Sequence, residues 1–71
     1  MSEFERNECM AALRTHEREV ERLSRTLAHL DGANDGRWTE QVRREIEFAT
    51  ARMTKHRISM ALISSRLSAA A

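Results

Sequence analysis

Cys9, His16 and His56 are the residues of this chain best equipped for chemistry: a thiol that can ionise, and two imidazoles that exchange protons near neutrality. All three fall on positions that line one side of a helix, so a thiolate and two imidazoles can occupy neighbouring layers of one seam. A metal needs three or four ligands converging at about 2.0 to 2.3 Å. Residues in successive layers point along a seam rather than at one point, so no metal and no cofactor is expected. Cys9 as a nucleophile needs a base, an orienting group and an oxyanion site in a concave pocket, and a slender helical rod has none. The chain is therefore expected not to be an enzyme. Cys9 is expected as a small buried apolar residue, and the histidines as polar seam residues that fix register or oligomeric state at some cost in stability.

The elements that hold these residues are visible as apolar rhythm. Cys9, Leu13, His16, Val20, Leu23, Leu27 and Leu30 recur at alternating steps of four and three, as do Val42, Ile46, Ala49, Met53, His56, Met60, Ile63, Leu67 and Ala70. Ser2 and Glu5 form a capping box, with hydroxyl and carboxylate each taking a free backbone N–H, which starts a helix over 3–31. Gly32 is expected at positive φ after it, and Asn34 or Asp35 as the cap of the next helix. The turn is then 32–36 and the second helix 37–69. So short a connection forces antiparallel neighbours, which makes the fold class all-α: an antiparallel two-helix hairpin of coiled-coil type, a single domain over 1–71. With the turn centred between Asn34 and Asp35, facing numbers sum to 69. That register sets Leu27 opposite Val42, Leu23 opposite Ile46, Val20 opposite Ala49, His16 opposite Met53, Leu13 opposite His56 and Cys9 opposite Met60.

Composition agrees. The 71 residues contain no Pro, no Tyr and two Gly, which is too little turn material for a β protein, and the single Cys excludes an internal disulfide. Twelve Lys and Arg against eleven Asp and Glu give a net charge of +1, so there is no overall basic signal for nucleic acid. No apolar run approaches the roughly 18 residues of a membrane span, and Met1-Ser2-Glu3-Phe4-Glu5 lacks the order of a secretory leader, so a cytoplasmic location is expected. A chain of this size buries only about 60% of its unfolded surface, which leaves a lone core marginal.

One feature of the sequence points outward. Phe48, Ala51, Ile58, Ala61 and Leu62 lie off the seam of the second helix, and a helix that is apolar on two sides is normally buried on two sides. The hairpin covers one. These five residues are expected at an interface with a second copy or another protein, completing a four-helix bundle. Trp38, beside the turn, is expected to close the open end of the seam, with a partner contact as the alternative. Arg52, Lys55 and Arg57 are candidate partner contacts, since no acid follows Glu47. Acids of the first helix are an alternative partner for these cations within the hairpin.

The capped first helix, the glycine-marked turn, the aromatic Trp38 followed by Thr39-Glu40-Gln41-Val42, and the second apolar face together resemble the small helical-hairpin E component of type III secretion systems. The resemblance implies a cytosolic co-chaperone that pairs with a repeat-type helical chaperone and keeps the needle subunit unpolymerised. It implies no catalytic residues. The expected function is thus a non-enzymatic protein–protein interaction module. A small phage or mobile-element inhibitor that blocks a host regulator or enzyme is the alternative, and a homodimeric nucleic-acid-binding bundle the third reading.

Overall fold

The computed structural model describes residues 1–33 and 37–70, and among them there are two helices and no strand. Helix α1 spans Glu3–Asp31 and α2 spans Glu40–Ala69. They pack against each other as the antiparallel hairpin that the seams imply, in a rod of 50 × 14 × 13 Å. A rod so thin has no interior beyond the line where the helices touch.

Each helix begins where a hydroxyl can satisfy an unpaired backbone N–H. The Ser2 hydroxyl accepts from the Glu5 N–H at 3.1 Å. The Glu5 carboxylate, expected to reach back to a backbone N–H, instead accepts from the Ser2 hydroxyl at 3.2 Å. On α2 the cap is Thr39, whose side chain accepts from the Val42 N–H at 3.2 Å, and Glu40 places a negative charge in the first turn, where the helix dipole favours it. This corrects the expected start at residue 37 to Glu40. The proposed caps Asn34 and Asp35 lie outside the described residues. Gly32 is also corrected: its φ is −85°, in the right-handed region, and its N–H donates to the Ala28 carbonyl at 3.2 Å. The helix winds on through Gly32 and tightens at Ala33 instead of reversing there.

Burial follows the two seams throughout. Cys9, Leu23, Ala49 and Met53 are buried, and every other seam residue, from Leu13 to Leu30 and from Val42 to Ala70, is half-buried. Leu23, Ala49 and Met53 form the centre, with Val20 and Leu27 packed against them. The register is the correction. His16 faces His56 directly, so facing numbers sum to 72 at this layer rather than 69. His16 is not opposite Met53, nor Leu13 opposite His56. The later start of α2 moves its seam by three residues, about half a heptad, and one layer of α1 meets the next layer of α2. The pairing of apolar with apolar survives because both seams share one rhythm.

Candidate functional site

On the outer side of α2, Phe48, Ala51, Ile58, Ala61 and Leu62 are all exposed, with Phe48 at 66%, Ile58 at 55% and Leu62 at 63%. Four of them are ordered by helix geometry. Phe48, Ala51, Ile58 and Leu62 fall within an arc of about 80°, and Ala61 turns about 60° past its edge. The steps from Phe48 to Ala51, Lys55, Ile58 and Leu62 are three, four, three and four: a second heptad seam with one lysine at its centre.

Along the upper part of this face the two helices form a shallow groove of about 530 Å³, with Phe48, Arg44 and Arg52 on α2 and Arg22, Thr26 and Leu30 on α1. The guanidinium of Arg52 stands 5.8 Å from the centre of the Phe48 ring, within reach of a cation–π attraction. Arg22 is held by Glu19 at 2.9 Å. The hydrogen bond from Arg22, helped by its charge, lowers the Glu19 carboxyl below the usual carboxylate range, and the same bond raises Arg22.

A residue that the sequence reading passed over belongs here. Phe4 is the most exposed large apolar side chain among the described residues, at 73%. It precedes Arg22 by eighteen residues, five full turns, and so shares the azimuth of the groove's α1 wall. The signal was present in its place off the Cys9–Leu30 seam and seven residues before Ala11.

Below the groove, His16 and His56 bring their Nδ1 atoms to 2.8 Å, with ring centres 5.0 Å apart and planes tilted by 53°. One nitrogen donates and the other accepts. The histidines thus share one layer, where the sequence reading placed them in successive ones. Arg52, Lys55, Phe48 and Ser59 line the cleft above them. Cys9 is buried seven residues, roughly 10 Å along α1, from His16. No group of three or more His, Cys, Asp or Glu side chains is placed to hold a metal ion among the described residues.

Trp38 caps the end of the seam beside Leu27, Ala28 and Ile46, its Nε1 3.5 Å from the Asp31 carbonyl, and keeps 43% of its surface exposed. The ion pairs among the described residues are Glu19–Arg22, Glu21–Arg25 and Glu40–Arg44, each within one helix. The acids of α1 therefore do not pair with Arg52, Lys55, Arg57 or Arg66. No helix among the described residues is long and apolar enough to cross a membrane. No family model, curated protein or solved structure matches the chain.

Proposed function

We propose that this chain is a non-enzymatic docking module that works by laying the outer face of α2, with Phe48, Ala51, Ile58 and Leu62, against a helical surface of another protein chain. The observation that carries this reading is the imbalance between the two seams. The inner seam buries four residues and leaves no side chain fully enclosed, while the outer one holds three large apolar side chains more than half exposed. Burial of each is worth about 1.5 to 3 kcal/mol, a large share of what a small fold has to spare. A third or fourth helix on this face supplies that burial and completes a bundle.

The resemblance to the E component of type III secretion systems supports a cytoplasmic co-chaperone as the biological form of this module. In that role the hairpin would lend its apolar face to a repeat-type chaperone, and its own marginal stability would rise by complex formation.

Paired substitutions test the reading. Met53→Asp buries an unpaired charge in the inner seam and should unfold the hairpin. Ile58→Asp should leave the helical circular-dichroism signal in place and abolish assembly with the covering chain, measured by light scattering on the co-expressed pair. If Ile58→Asp unfolds the chain as Met53→Asp does, the outer face is part of the hairpin's own core and the proposal fails.

A further inference from the structure

The outer seam carries information about what covers it. From Phe48 onward the chain has Arg52, Lys55, Arg57 and Arg66 and no acid. All four side chains are exposed, and none takes part in the ion pairs found among the described residues. Lys55 occupies the middle of the Phe48–Leu62 stripe, where a charged residue selects the partner as much as it stabilises the assembly. A second copy of this chain is a poor occupant. The antiparallel register that pairs Phe48 with the second copy's Leu62 sets Lys55 against Lys55, and a parallel register does the same. Other registers that cover Phe48, Ile58 and Leu62 with their own stripe still lay an acid-poor stretch against itself, at the cost of like-charge repulsion.

We infer that the occupant is an acidic amphipathic helix of a different protein: an apolar heptad stripe flanked by Asp or Glu that meets Lys55, Arg52 and Arg66, whereas Arg57 lies about 100° past the Ile58 edge of the face. This rests on the docking role proposed for the α2 face. A helix fits because the stripe runs straight along the rod and its Phe48 end opens onto the groove that Arg52, Arg22 and Thr26 line together with Glu45, and a third helix packs at about 8–10 Å from its neighbours. The stretch from Phe48 to Leu62 is about 21 Å long, so the partner must contribute roughly four turns. Carboxylates along those turns would pair with cations that no acid of α1 holds in an ion pair, Glu19 reaching Arg52 only through the field of its charge.

The test uses this chain as its own reagent. The triple variant Arg52→Glu, Lys55→Glu, Arg66→Glu keeps the apolar stripe, reverses its charge and touches no buried residue. Its helicity is checked by circular dichroism, with Lys55→Glu alone as the substitute if the triple variant does not fold. Fluorescence anisotropy at physiological salt should show the labelled variant binding wild type at least tenfold more tightly than either protein binds itself, with affinity falling as salt rises. Equal self-association of wild type identifies a second copy as the occupant and overturns the inference. So does tighter binding of wild type to phosphatidylserine vesicles or duplex DNA, or no association up to about 100 µM. Ile58→Asp separates the docking face from the charge of its partner. Association that needs Ile58 but ignores charge defeats only the acidic partner, whereas charge-dependent association indifferent to Ile58→Asp defeats the docking face.

Discussion

The Nδ1 atoms of His16 and His56 meet at 2.8 Å across the helix interface, a contact that exists only while one of the two nitrogens is bare. With a proton on both Nδ1 atoms the N–H···N bond is lost and two donors face each other in a half-buried layer. Arg52 and Lys55 line the same cleft from α2, and Arg66 lies beyond Ser59 on that side of His16. The nearby acid is Glu19 on α1, close enough to feel the charge of His56 and already engaged by Arg22.

Loss of the His16–His56 contact should loosen the hairpin. His16→Ala should cost about 0.5 to 1.5 kcal/mol by urea denaturation, since it leaves His56 without its partner across the interface. An unchanged midpoint contradicts the assignment. Stability also depends on pH through Glu19, whose depressed carboxyl favours the fold above the ordinary carboxylate range; that contribution disappears as pH falls through the folded value.

Gly32→Ala should raise stability by about 0.4 to 1 kcal/mol, because an alanine restricts the unfolded chain and finds room in the folded one. An added Cβ would stand 3.7 Å from the Ala28 carbonyl oxygen and 3.9 Å from that of His29, ordinary contact distances, at a φ of −85° that any residue adopts. Thermal melts decide it. A destabilised Gly32→Ala protein would show that the glycine needs a left-handed conformation after all.

Thr39→Ala should cost about 0.5 to 2 kcal/mol by exposing the Val42 N–H to loss of its partner, whereas Thr39→Ser should be close to neutral. Chemical denaturation of the two variants side by side checks this. Equal stability of the alanine and serine proteins would move the start of α2 away from Glu40.

How far the sequence was legible follows from what each feature depends on. The seams are set by side-chain type at fixed spacing, so Cys9 to Leu30 and Val42 to Ala70 could be named without coordinates, and so could the outward stripe of Phe48, Ile58 and Leu62. The register depends instead on one choice among competing caps. Asn34, Asp35 and Thr39 all suit the position by residue type, and only the pairing of Thr39 with an acidic first turn at Glu40 favours the last. That shift of three residues brings His16 and His56 into one layer, so their contact could not be read from spacing alone. Phe4 escaped notice because an isolated aromatic near a chain start shows no rhythm until the groove gives it an azimuth.

Cys9→Ala should lower stability by about 1 kcal/mol, the cost of a small vacancy where a thiol is 8% exposed, and leave assembly unchanged. Melting temperature of the lone chain and light scattering on the co-expressed complex distinguish these effects. A variant that melts like wild type yet no longer assembles would give the thiol a role beyond packing.

The docking role proposed for α2 requires that another chain cover its outer face. Size-exclusion chromatography with light scattering decides this, on the wild-type chain and its Ile58→Asp variant, each co-expressed with the products of the neighbouring genes. Wild type should elute in a stoichiometric complex, and Ile58→Asp alone with its helical signal intact. A wild-type chain that elutes as a lone monomer, melts cooperatively at a concentration-independent temperature, and is unchanged by Ile58→Asp would contradict that role.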